Sequence, residues 1–184
     1  MPDGYDAEEH RESVQAVRTV VREALDRDAT WADLSTRFAY AFQTPPGSSY
    51  PPILSRHSLS GPVKVEGAGG PITFHPIRVG HGEIEALGLR IGRVAYMPAV
   101  NVIPPEAQAL LSDLDVWVLD ALRRTPHPSH LSLSESLAWI DRMKPRRGVL
   151  TNMHLDLDYA TVMAEPPETV VPAHDGMTIE LPDD

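Results

Sequence analysis

The residues best suited to chemistry in this 184-residue chain are histidines placed beside short apolar runs. His81 lies between Gly80 and Gly82. Asp120 ends the run Val116-Trp117-Val118-Leu119, and His127 and His130 follow in Pro126-His127-Pro128-Ser129-His130. His154 follows Gly148-Val149-Leu150-Thr151 and precedes Asp156 and Asp158. Imidazole and carboxylate gathered at strand ends, in a chain without cysteine, form a ligand set for zinc, manganese or iron.

Each of these residues also has a plainer reading. Asp120 can cap a loop or helix. His127 and His130 are three apart with Pro128 between them, which argues against a helical metal pair, and His127 reads as a loop histidine. The glycines around His81 allow close backbone approach but also suit an ordinary turn. Asp156 and Asp158 are the acids a helix N-terminus favours. His10, His57, His75 and His174 have no evident partner.

The elements that must hold these residues follow from the patterning. Val14, Val17, Val21 and Leu25 recur at helical spacing and predict an amphipathic helix over about residues 7–27. Trp31 to Phe42 predicts a second helix, stopped by Pro45-Pro46-Gly47. Strands are expected at 62–66 and 72–79, then a strand pair within 84–97 turning at Gly92-Arg93. A helix is expected from Pro104 to Leu114, with proline in its first turn. Val116–Leu119 and Gly148–Thr151 read as buried strands. Between them Ser132-Leu133-Ser134-Glu135 is a capping box, followed by Leu133, Leu137, Ile140 and Met143 on one helical face. A short helix over 158–165 and closing strands at 170–172 and 177–181 complete the reading. Strands alternating with helices predict an α/β class, divided into a divergent helix at 1–30 and a main domain at 31–184.

Composition narrows the function. Sixteen basic against 26 acidic residues give a formal net charge of −10, which argues against nucleic acid as a partner. The absence of cysteine removes disulfides and thiolate sites. No apolar run reaches the roughly 18–20 residues of a membrane span, and the acidic N-terminus is no signal peptide. The expected location is the cytoplasm.

Several blocks, in order, resemble metallo-β-lactamase-fold hydrolases of the phosphoribosyl 1,2-cyclic phosphate phosphodiesterase type. They are Phe38 to Pro52, Gly80-His81-Gly82, Val94-Ala95-Tyr96-Met97-Pro98, Asp120 to Arg123 with Pro126 to His130, Leu150 to His154, and Asp175-Gly176-Met177. The likeness covers about residues 31–181. It implies an αββα metallo-β-lactamase-type sandwich, incomplete in its N-terminal half. It also implies a metal site, with zinc or manganese as cofactor, at which a metal-held hydroxide attacks phosphorus. By position His81 and His154 match metal ligands, with Asp120 as an auxiliary ligand. His130 matches a general acid or phosphate contact, and Arg123 could neutralise a phosphate.

Two departures stand against the matches. The family's His-x-His-x-Asp-His motif is absent, because no two histidines here are separated by one residue. Ala99 stands where the family's metal-bridging aspartate is expected. Two readings of function result. One is a metal-dependent phosphodiesterase acting on a small phosphoester, such as a cyclic phosphate. The other is a truncated, catalytically inactive relative that serves as a binding or dimerisation module, with a homodimer covering exposed sheet edges.

Overall fold

The computed structural model describes residues 28–49, 51–54, 56 and 59–181. The helix expected over 7–27 lies outside the described residues. So does most of the 1–30 segment.

Two compact units divide at Phe74 and His75. In the first, α1 (Asp28–Arg37) and α2 (Ala39–Phe42) replace the single helix expected there. The break is at Phe38, whose ψ of 34° leaves the helical region. Trp31 and Phe42 meet edge to face across that break, with ring centroids 4.8 Å apart. Strand β1 (Val63–Val65) pairs antiparallel with the start of β2 (Ile72–His81).

The second unit carries the rest of β2, then β3 (Ile84–Ile91), β4 (Val94–Met97), β5 (Val116–Asp120), β6 (Arg147–Thr151) and β7 (Val170–Pro172). The strands lie in sequence order in one seven-stranded sheet. Pairing is antiparallel between β3 and β4, and parallel from β4 through β7. The switch has a sequence cause. Gly92-Arg93 allows a tight hairpin, whereas each later strand is reached through a longer crossover carrying helix. The class is α/β with mixed strand directions.

Those crossovers hold α3 (Pro105–Gln108, continued as a 3₁₀ turn over Ala109–Leu111), α4 (Leu133–Met143) and α5 (Tyr159–Ala164). The first is shorter than expected. Ser112 is extended and Asp113 adopts a positive φ of 52°, so the backbone leaves the helix before Leu114. The α4 capping box forms as the sequence implies: Ser132 accepts from the Glu135 backbone N–H, and Glu135 accepts from the Ser132 N–H. The strand expected at 177–181 is not present, and the chain there pairs with no strand.

Ile77, Val79, Ala95, Met97, Trp117, Leu119 and Leu150 line the buried face of the sheet, with Leu133 and Ile140 of α4 in the same core. Gly148 lets α4 come close, since a Cβ there would stand 2.8 Å from Ile140 Cδ1. No described helix is long and apolar enough to cross a membrane.

Candidate functional site

Parallel register brings the C-terminal ends of β5 and β6 side by side, with Asp120 opposite Thr151. That edge is where ligand sites gather in parallel α/β sheets. Asp120 has no solvent exposure, and a buried carboxylate must be met by donors. Its Oδ2 accepts from the Val100 backbone N–H at 3.1 Å and from His130 Nδ1 at 2.6 Å. Its Oδ1 accepts from Asn152 Nδ2 at 3.2 Å. Its backbone carbonyl accepts the Ser136 hydroxyl from the first turns of α4. Asp120 is thus an orienting anion: it fixes the His130 ring with the proton on Nδ1 and leaves Nε2 as the working nitrogen.

His81 ends β2. Gly80 before it bridges to Val102 and exchanges backbone hydrogen bonds with the 101–102 segment. Gly82 after it has φ of 65°, and a Cβ there would stand 3.0 Å from Ser129 Cβ. The tight turn sets His81 against the 127–130 loop, where its Nδ1 donates to the Ser129 carbonyl at 2.7 Å. The His81 and His130 rings meet edge to face with centroids 4.5 Å apart. Asn101 ties the two loops together by accepting from Gly82 N–H and donating to the Pro128 carbonyl.

His127 joins the group, its ring centroid 5.2 Å from that of His130. Its Nδ1 accepts from the Ser129 backbone N–H at 3.3 Å. Partial burial, the neighbouring Arg123 guanidinium and His130 hold this imidazole below the ordinary histidine value.

The structure therefore brings His81, Asp120 and His130 together. It pairs His154 differently: that ring is 56% exposed and its Nδ1 meets Asp156 Oδ1 at 3.0 Å. Arg123 is committed locally, donating to the Thr125 and Pro126 carbonyls and so shaping the loop that carries His127 and His130. Sequence reasoning missed Asn152 and Asn101. For Asn152 a signal existed. It follows β6 as the loop residues follow Asp120, and asparagine tolerates the positive φ, here 59°, that turns its amide inward.

A divalent zinc site takes three or four protein ligands. His81 and His130 supply two imidazole nitrogens, Nε2 in each case. Asp120 already accepts from three N–H groups, and the His154 ring, paired with Asp156, stands outside the contact group of His81, His127 and His130. Among the described residues no group of three or more His, Asp or Glu side chains could hold a metal ion. This donor set does not fit a two-metal centre.

The beta-lactamase superfamily domain model matches residues 6–153. A crystal structure of a diphosphatase from the PhnP family superposes with a TM-score of 0.72 at 28% identity, covering 85% of this chain and 57% of that one. Zinc-bound PqqB from Methylobacterium extorquens superposes with a TM-score of 0.54 at 18% identity, over 69% of this chain and 56% of its own. An octanoyltransferase of Porphyromonas gingivalis (strain ATCC BAA-308 / W83) is 28% identical over 83 residues, which are 45% of this chain and 17% of that protein. The chain thus spans little more than half of the structures it resembles and a small part of that transferase. With most of its length matched and its strand-end histidines seated on this sheet, the chain belongs to the beta-lactamase superfamily and has the metallo-β-lactamase fold.

Proposed function

We propose that the protein acts on a small phosphoester, with His130 as the group that protonates the departing oxygen. The observation that carries this reading is the buried Asp120–His130 pair at the β5 end. With Asp120 holding Nδ1, a protonated His130 can deliver its Nε2 proton to the leaving oxygen as water adds to phosphorus and the phosphorus–oxygen bond breaks. His81, held by a backbone carbonyl, offers an Nε2 lone pair, the form that ligates a metal or accepts a proton. The 28% identical diphosphatase supports phosphoester chemistry over other hydrolyses.

The experiment compares two substrates of unlike leaving group. A cyclic nucleotide phosphate releases an alkoxide that needs a proton, whereas bis(p-nitrophenyl) phosphate releases a phenolate that does not. His130→Ala should lower turnover of the cyclic phosphate by about 10²–10⁴-fold and spare the nitrophenyl ester by comparison. Equal losses on both would overturn the acid role.

A second reading, phosphoester binding without turnover, is favoured by Ala99 and by the two-imidazole donor set. Cyclic phosphate binding by calorimetry with no product formed, in zinc or manganese, would select it.

A further inference from the structure

We propose that His127 is a phosphoryl-oxygen binding residue, a neutral Nε2–H donor whose tautomer is set by the backbone of Ser129. This rests on the phosphoester reading above.

The geometry gives one residue control of two rings. The Ser129 carbonyl can only accept, so the 2.7 Å contact with His81 Nδ1 places the His81 proton on Nδ1. The Ser129 amide can only donate, so its contact with His127 Nδ1 leaves that nitrogen unprotonated. The Ser129 hydroxyl lies at the same 3.3 Å from His127 Nδ1 and can donate there as well. A neutral imidazole has one N–H. In His127 it is therefore on Nε2, the opposite arrangement to His81 and His130.

The three rings thus carry different chemistry within one contact group. His81 presents a lone pair and His130 exchanges a proton on the same nitrogen. His127 presents a fixed donor beside them. An anion with several acceptor oxygens uses such a donor. Arg123 directs its guanidinium to the Thr125 and Pro126 carbonyls, and so sets the loop on which the His127 ring stands.

Two measurements test the proposal. Long-range proton–nitrogen correlation spectra of the full chain at neutral pH should show His127 as the Nε2–H tautomer, and an Nδ1–H tautomer would overturn the assignment. Inorganic phosphate, titrated by calorimetry, should bind the unaltered protein. His127→Ala should weaken that binding by about tenfold. His127→Gln, whose amide N–H can reach the place of Nε2, should restore affinity to within about threefold. Phosphate affinity unchanged in His127→Ala would overturn this assignment while leaving the phosphoester reading standing. No phosphate or cyclic phosphate binding by the unaltered protein would overturn both. Circular dichroism of the alanine variant separates lost binding from lost fold, and recovery in the glutamine variant excludes a purely structural cause.

Discussion

Asp120 is the residue on which the site turns, and its chemistry defines a sharp substitution. Two N–H groups, from Val100 and His130, meet one oxygen, and the Asn152 amide meets the other. Asparagine at 120 has a single acceptor oxygen. If that oxygen faces Val100 and His130, its NH₂ faces the NH₂ of Asn152. In the opposite orientation its NH₂ faces two backbone and ring donors. The first orientation is satisfied only if the exposed Asn152 amide turns its oxygen toward residue 120, and in either case the charge-assisted bond to His130 is lost, at about 1–2 kcal/mol. Asp120→Asn should lose about that much stability in urea unfolding and should also let His130 change tautomer. Turnover of a cyclic phosphate should then fall by at least about 100-fold while circular dichroism stays native. Much of this site was legible in the residues: an aspartate closing an apolar run, and a histidine pinned between glycines. Asn152 was legible only in part: an asparagine after β6 suits a positive φ, but its meeting with Asp120 depends on β5–β6 register, which is not written in local spacing. His154 shows the converse. Three acid or imidazole groups close in sequence suggested a ligand cluster, but the chain after β6 turns the ring toward Asp156.

Local signals also set most of the elements. The Ser132–Glu135 box, the proline opening α3 and the apolar runs of β5 and β6 are short-range features, and the chain obeys them. The failures are where backbone geometry overrules pattern. Phe38 breaks an aromatic helix, Asp113 cuts α3 short, and the alternating residues 177–181 find no neighbouring strand to pair with. Lys144, the C-cap of α4, has φ of 53° and ψ of 51°. That left-handed conformation strains a side chain and suits glycine. Lys144→Gly should therefore raise stability by about 0.5–1 kcal/mol, read as a higher urea midpoint at unchanged slope. At α5 the helix is set by its acids. Asp158 caps it, and the Thr161 N–H and hydroxyl hold that carboxyl below the ordinary value. Glu165 at its end is lowered by the bidentate Arg124 guanidinium. Both groups are lower in the folded state than in the unfolded chain. Their stabilisation is present at neutral pH and is lost as pH falls from about 4 through the lowered native values. Hydrogen-exchange protection of amides 159–165 should drop between about pH 5 and pH 3, before that of β5. Asp158→Asn should flatten the change, since asparagine caps without titrating.

At the scale of the molecule, the question is how much of the superfamily's chemistry this sheet can hold. Its parallel half delivers two loops to one edge, β2 delivers a third, and the three meet there through His81 and Ser129. What each loop brings differs from the family expectation. Ala99 can ligate nothing, Asp120 already accepts from three N–H groups, and His154 pairs with Asp156 outside the His81–His130 contact. Two imidazoles remain for a divalent ion. A ligand present at 100 times its dissociation constant stabilises the folded state by about 2.7 kcal/mol, which in a chain of this size raises the melting temperature by about 5–10 °C. Two imidazoles give far weaker affinity than a three- or four-ligand zinc site. Zinc or manganese at about 100 μM should therefore move the melting temperature by less than about 2 °C, and chelator should move it no further. A shift of 5 °C or more, abolished in His81→Ala, would mean that ligands from beyond the described residues complete the centre. Phosphoester turnover would then be expected to rise with metal. With the small shift, the phosphoester reading rests on His130 as proton donor and His127 as an oxygen contact, and turnover should be insensitive to chelator.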